Sequence, residues 1–133
     1  MKKSFIIFLG IISLTVISCK KETSEPTVLA DPTFNLTSPV LNETYNFGDT
    51  INLIGSASAD YEMHGYNVII KNLKTGMNVL NQGYHLHQTS YIFDEKWKNT
   101  VTDTSQMKIT IDVAIDHDGN LKSYERIVTC YPQ

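Results

Sequence analysis

Strict alternation of apolar and polar residues between positions 107 and 115 is the strongest constraint on how this chain folds. The apolar members are Met107, Ile109, Ile111, Val113 and Ile115. Because successive side chains of a β-strand point to opposite faces, a period of two predicts a strand with one buried face. Residues 116–120, Asp-His-Asp-Gly-Asn, are typical of a tight turn, and 121–131 is again rich in Leu, Tyr, Ile and Val. The sequence therefore predicts a hairpin at the centre of an all-β domain.

Shorter strand signals, separated by turn residues, extend this prediction over residues 33–133. Gly83 is expected to interrupt the chain, and a polar connection around Trp97 is expected between 94 and 105. Seven short strands with turns at intervals of about 8 to 12 residues are typical of an immunoglobulin-like β-sandwich, with a small barrel as the alternative. Besides the two hairpin strands, the expected strands are 33–38, 50–56, 66–72, 77–81 and 85–93.

The first nineteen residues are typical of an export signal rather than of a folded domain. Lys2 and Lys3 precede an uncharged apolar run, 5–17, which is shorter than the about 20 residues of a membrane-spanning helix. Val-Ile-Ser-Cys at 16–19 resembles the lipobox, where bacterial lipoproteins are cleaved before an acylated cysteine. An ordinary signal peptide is the alternative. The expected organisation is a lipoprotein signal peptide (1–18), the lipidated Cys19 with a flexible tether (19–32), and a sandwich domain (33–133).

The numbers of cysteines and charged residues limit which molecules the protein is expected to bind. If Cys19 carries lipid, Cys130 has no cysteine partner within the chain, and it is expected to be a small buried side chain far from the histidines. The chain has 11 basic and 14 acidic side chains, and cleavage would remove Lys2 and Lys3. An acidic, membrane-anchored domain is poorly suited to nucleic acid, which is bound mainly through basic contacts to phosphate, and better suited to cations.

Several turn motifs resemble those of a known group of proteins. They are Pro39, the run Tyr-Asn-Phe-Gly-Asp-Thr-Ile at 45–51, Ser-Ala-Asp at 58–60 and the turn at 116–120. Together they resemble the framework of bacterial Ig-like modules of unknown function in small lipoproteins of the Bacteroidetes. The resemblance covers most of 33–133 and implies a sandwich in the cell envelope at the outer membrane, facing either the periplasm or the surface. It implies no activity, and the buried cysteine pair of antibody domains is missing.

Sandwich topology predicts that all four histidines meet at one end of the domain. His64 precedes the strand at 66–72, His85 and His87 open the strand at 85–93, and His117 lies in the hairpin turn. Residues i and i+2 of a strand face the same side with Cα atoms about 6.6 to 6.8 Å apart, so two imidazoles can bind one ion. With His64 or His117 as a further ligand, we expect a site for zinc or copper, to which Met63 would add a soft ligand for copper.

Each part of this site has a simpler explanation. Two histidines on a strand are often surface residues, and the Asp-x-Asp-Gly of the hairpin is common in tight turns. The oxygens of Asp60, Asp116 and Asp118 suit calcium, which is the alternative ion. An aromatic group could stack on a sugar, or else belong to the core; its members are Tyr91, Phe93 and Trp97.

Catalytic motifs are missing from the sequence. It has no Gly-x-Ser-x-Gly, no His-Glu-x-x-His and no phosphate-binding glycine loop, so we do not expect an enzyme. Two functions of different class are left open. One is a lipid-anchored envelope protein whose four histidines bind a transition metal. The other is an adhesion or assembly module whose loops bind a protein or a glycan.

Overall fold

The computed structural model describes residues 29–133, which form two β-sheets packed face to face. One sheet has the strand order β1-β3-β6 and the other β2-β8-β7-β4-β5. All pairs of neighbours are antiparallel except β2 with β8. The strands are β1 (Thr33–Ser38), β2 (Thr44–Tyr45), β3 (Thr50–Met63), β4 (Gly65–Asn72), β5 (Asn78–Tyr84), β6 (Gln88–Lys98), β7 (Ser105–Ala114) and β8 (Leu121–Cys130).

This architecture is the immunoglobulin-like β-sandwich predicted from the sequence. Two separate sheets exclude the barrel, and β2 adds one strand to the seven expected. Because every strand of the described part of the chain lies within 33–133, a fragment that begins at residue 20 contains all the strands of the two sheets. The predicted signal peptide and the lipidated Cys19 lie outside the described residues. Within 29–133, no helix is long and apolar enough to cross a bilayer.

The core follows the alternation that the sequence shows. All five apolar side chains of the 107–115 segment are buried, and β7 pairs along its whole length with β8 and from Met107 to Ala114 with β4. On β4, the inward side chains are Tyr66, Val68 and Ile70, as predicted. The opposite sheet covers them with Ile51 and Leu53 from β3 and with two aromatic side chains from β6. Burial of these side chains between the sheets is the main driving force for the fold.

Two strands are longer than predicted. The sequence predicts that β3 stops at Ser56 and that a polar connection begins at Asp94, but β3 continues to Met63 and β6 to Lys98. The reason is that β3 and β6 pair continuously, from Thr50 with Lys98 to Ser58 with Ser90, and so satisfy each other's backbone hydrogen bonds. A register shift follows Ser58 before Met63 pairs with Gln88. Tertiary pairing thus extends both strands beyond the predicted ends, and in β3 the apolar residues Ala57, Ala59, Tyr61 and Met63 continue the alternation.

Two local predictions are wrong in the middle of the chain. Gly83 does not interrupt a strand, because it lies within β5 and pairs with Asn67 of β4. His85 and His87 do not open a strand, because β5 ends at Tyr84 and β6 begins at Gln88. The two histidines therefore belong to the three-residue connection between the two sheets.

The two ends of the sandwich differ in composition. At one end β3 meets β4, β5 meets β6 and β7 meets β8, and we call this end the histidine pole because its connections carry His64, His85, His87 and His117. The other end, the far pole, holds the end of β8 and the connections from β1 to β2, from β2 to β3, from β4 to β5 and from β6 to β7. Cys130 is fully buried there as a free thiol, as predicted.

Candidate functional site

The four histidine rings lie in contact at the histidine pole. His87 is central: its ring centroid is 4.8 Å from that of His64, 4.9 Å from that of His85 and 5.8 Å from that of His117. The rings of His64 and His117 are closer still, at 3.8 Å. The three connections thus bring together residues that are up to 53 positions apart in the chain. Whether the rings bind an ion stays a prediction.

Close backbone packing places His64 beside the β5–β6 connection. Gly65 has a φ of +129°, and a side chain there would collide with the carbonyl oxygen of Tyr84 and lie 3.2 Å from the Cα of His85. Only glycine permits this approach. The backbone amide of His64 donates to the carbonyl of Ala114 at 2.8 Å, which also fixes His64 at the end of β7.

The rings of His85 and His87 face each other, although the two residues do not lie on a strand. The Nε2 atoms of the two rings are 3.2 Å apart, a hydrogen-bond distance. On the other side of the His87 ring, Nδ1 lies 3.3 Å from Oε1 of Glu62, near the end of β3. A carboxylate that accepts from Nδ1 holds the proton there and leaves the Nε2 lone pair directed at His85. Sequence reasoning gave Glu62 no role, because the contact depends on the β3–β6 pairing.

A tyrosine hydroxyl connects the two histidine-bearing segments. The backbone amide of Gly65 donates to Oη of Tyr91 at 2.8 Å, and that hydroxyl donates to the carbonyl of Leu86 at 2.6 Å. Gly65 follows His64, and Leu86 lies between His85 and His87. No sequence signal indicates this link, since Tyr91 reads as one more apolar residue of a strand.

The hairpin turn presents His117 on a rigid base. Oδ1 of Asp116 accepts from the amides of Asp118 and Asn120 at 3.0 and 3.1 Å, and its Oδ2 accepts from the side-chain amide of Asn120 at 2.6 Å. These bonds, led by that from the Asn120 side chain, lower the pKa of Asp116. The contacts favour the turn explanation for Asp116 over the calcium alternative. His117 is itself an exposed residue of this turn.

His64 carries an unsatisfied polar atom. Its Nδ1 is buried and has no hydrogen-bond partner among the described residues. Desolvation, followed by the neighbouring rings of His117 and His87, lowers the pKa of His64. A lowered pKa keeps the imidazole neutral near pH 7, the state in which its nitrogen lone pair can bind an ion.

The other predicted ligands do not join the four rings. The side chain of Met63 is fully buried in the core, so its sulfur is turned away from the exposed rings of His85 and His87. Asp60 lines a cleft of about 290 Å³ with Asp31 and Ser58 instead. Asp118 is an exposed turn residue.

The aromatic group of Tyr91, Phe93 and Trp97 does not form an exposed surface on which a sugar could stack. Tyr91 and Phe93 are each 1% exposed, and Trp97 packs half-buried against the core. Buried rings have no face to offer a sugar. These aromatic residues therefore belong to the core, the second of the two interpretations that the sequence left open.

The distance between the Nε2 atoms of His85 and His87 matches that between two ligands of one metal ion. The four rings together are not arranged around a common point. Ligands about 2.0 to 2.1 Å from a tetrahedral zinc ion lie about 3.3 Å from one another, close to the Nε2–Nε2 distance here. As the side chains stand, no three histidine, cysteine or carboxylate groups within 29–133 are arranged to hold a metal ion. A third nitrogen would have to come from rotation of a neighbouring ring, and the exposed ring of His117, with its centroid 5.8 Å from that of His87, is free to rotate.

No known protein-family model matches the chain, and no curated protein sequence matches it either.

Proposed function

We propose that this protein binds a divalent transition-metal ion through the four imidazoles of the histidine pole. The observation that carries the proposal is the 3.2 Å approach of the His85 and His87 Nε2 atoms, with the rings of His64 and His117 in contact beside them. The sequence contains four histidines, and all four pack together at one end of the domain, which is unusual for histidines that are only surface residues. Replacing the proton shared by the two Nε2 atoms with an ion would satisfy both lone pairs.

Ligand chemistry favours zinc or copper(II). Imidazole suits zinc, copper and nickel, whereas calcium prefers oxygen ligands. Glu62 supplies the carboxylate that commonly accepts from the outer nitrogen of a metal-binding histidine. Because the Met63 sulfur is buried in the core, the soft ligand that would favour copper(I) is missing from the cluster.

The proposed setting is the cell envelope. The Lys2–Lys3 start, the apolar run and the Cys19 motif support export and lipid anchoring, and the acidic balance of the remaining chain suits a cation-binding role. In this setting the domain would store, sense or pass on a metal ion without catalysing a reaction.

The test is a metal titration of the fragment 20–133, made free of metal and of affinity tags. We expect one zinc or copper(II) ion per chain with micromolar or tighter affinity. The double variant His85→Ala/His87→Ala should lose this binding. Leu86→Ala, which changes the exposed residue between the two histidines, is the matched control and should bind like the wild type. Unchanged binding in the double variant would contradict the proposal.

A second candidate function is favoured by the far pole. Val40, Leu41 and Met77 lie in its connections and are 57%, 69% and 66% exposed. Exposed apolar loop residues are more frequent where a protein binds a partner. If the titration shows no metal, an adhesion or assembly module that binds a protein or glycan through such loops becomes the better proposal.

A further inference from the structure

The hydroxyl of Tyr91 lies where the two histidine-bearing segments of the sandwich meet. It accepts from the amide of Gly65 and donates to the carbonyl of Leu86, at 2.8 and 2.6 Å. These backbone groups flank or separate three of the four imidazoles. One buried oxygen atom thus connects the β3–β4 corner to the β5–β6 connection.

The ring that carries this hydroxyl is held firmly. Tyr91 is 1% exposed, and its ring packs against that of Tyr66 at a centroid distance of 5.1 Å. Desolvation raises the pKa of Tyr91, so the hydroxyl keeps its proton and can donate and accept at once at neutral pH. A rigid, protonated phenol in the core is well suited to fix the position of flexible surface connections.

We propose that Tyr91 is a positioning residue for the metal site, acting through the backbone of the two connections and not as a ligand. This inference rests on the proposed function. Metal sites depend on groups that orient the ligands, and the loss of such a group commonly weakens metal affinity by about 10- to 100-fold. His85 and His87 need this support more than strand residues would, because they lie in a three-residue connection without ladder hydrogen bonds of their own.

Gly65 and Tyr91 work together in this arrangement. The glycine allows the corner to approach Tyr84 and His85, and the hydroxyl then satisfies the amide that this approach buries. Without the hydroxyl, the Gly65 amide would be left buried and unpaired, and the Leu86 carbonyl would lose its donor. The connections would then be expected to move apart until water reaches both groups.

The test compares Tyr91→Phe with Tyr66→Phe in the fragment 20–133. Each change removes one hydroxyl from a core tyrosine, but that of Tyr66 makes a single long contact, 3.5 Å from the carbonyl of Ile92. We expect zinc affinity to fall at least about tenfold in Tyr91→Phe and to change less than about twofold in Tyr66→Phe. Affinities are compared at a temperature well below the unfolding midpoint of both variants, so that a general loss of stability does not imitate the effect.

Amide hydrogen exchange of Gly65 without metal provides a readout that does not depend on zinc. It should be faster in Tyr91→Phe than in Tyr66→Phe or the wild type. Equal zinc affinity in the two variants would overturn the positioning role. If the wild type binds no zinc, the proposed function fails and with it the role in metal binding, while the exchange rate of Gly65 alone decides whether the hydroxyl holds the two connections together.

Discussion

The two poles of the sandwich differ in whether a buried polar side chain finds hydrogen-bond partners. At the far pole, Asn99 is completely buried and every polar group it has is paired. Its side-chain amide donates to the carbonyls of Tyr45 and Tyr131, its side-chain oxygen accepts from Val101, and its backbone bonds to the Gly48–Asp49 turn. At the histidine pole, by contrast, the buried Nδ1 of His64 has no partner among the described residues.

This difference separates a structural polar site from a candidate binding site. A satisfied buried network stabilises one conformation and has no capacity left for a ligand. An unpaired nitrogen reduces stability, and it persists more readily where a ligand can use it. Both ends contain buried polar atoms, so burial alone does not identify a site. The state of pairing separates these two positions, and the site is identified by the unpaired nitrogen together with the neighbouring imidazoles, since Oδ1 of Asn67 on β4 is also buried without a partner among the described residues.

Breaking the far-pole network should produce the largest change in stability. We expect Asn99→Ala to lower the free energy of unfolding by about 3 kcal/mol, because it removes three side-chain hydrogen bonds and leaves the Tyr131 carbonyl and the Val101 amide without partners. Asn78→Ala, at an exposed position of β5, is the control and should stay within about 0.5 kcal/mol of the wild type. Urea unfolding measures both. A loss no greater than that of the control would mean that the network does not stabilise the fold.

Changing Glu62 should weaken metal binding while leaving stability nearly unchanged. In Glu62→Gln the acceptor of the His87 Nδ1 proton loses its charge, and we expect zinc affinity to fall about tenfold. Glu125→Gln is the matched control, since Glu125 pairs with Lys108 on the outer face of the other sheet. Competition titration against a zinc indicator gives both affinities. Equal affinities in the two variants would remove Glu62 from the site.

Replacing the His64 imidazole, whose buried Nδ1 has no partner among the described residues, with an apolar side chain should stabilise the metal-free protein. His64→Leu replaces the unpaired Nδ1 with an apolar side chain, and we expect the free energy of unfolding to rise by about 0.5 to 1 kcal/mol. The exposed His117, changed in the same way, should shift it by less than about 0.5 kcal/mol. Chelator-treated samples in urea provide the measurement. A loss of more than about 1 kcal/mol in His64→Leu would show that the ring is part of a structural network.

Alkaline pH should lower the free energy of unfolding through Cys130 at the far pole. This is the smallest effect among the four predictions. Burial raises the pKa of this thiol from 9.0 to about 11. The unfolded chain therefore releases the thiol proton first, so stability is unaffected below pH 9 and falls as the pH rises from about 9 to 11. Cys130→Ala should show a shallower decline between pH 9 and 11 in urea unfolding. Identical pH profiles would indicate that the thiol is not protected by burial.

The hairpin and the gathering of the histidines could be predicted because they depend on local patterns and on fold topology. The period of two places Met107 to Val113 on a buried face whatever else the chain does. An immunoglobulin-like sandwich places the three histidine-bearing connections at one end regardless of their exact length. For the same reason the prediction that the four rings meet is confirmed, although the assignment of His85 and His87 to a strand is wrong.

Contacts that depend on pairing between distant strands could not be predicted. In the extension of β3 from Ala57 to Met63, Ala57, Ser58 and Met63 pair with β6. The apolar residues of this stretch alternate with polar ones, but two of them are alanines, which bury little apolar area and give a weak strand signal. Glu62 and Tyr91 reach the site only through this pairing, so neither could be assigned a role from its neighbours in the sequence. The Asn99 network likewise joins residues up to 54 positions apart.

Zinc K-edge X-ray absorption of the fragment 20–133, loaded with one equivalent of zinc, identifies the atoms bound to the metal. If the imidazoles of the histidine pole bind zinc, three or four nitrogen atoms lie about 2.0 to 2.1 Å from the metal, with the scattering pattern of imidazole rings. A shell of oxygen or sulfur atoms, or a protein that retains no zinc after desalting, would contradict zinc binding by these imidazoles.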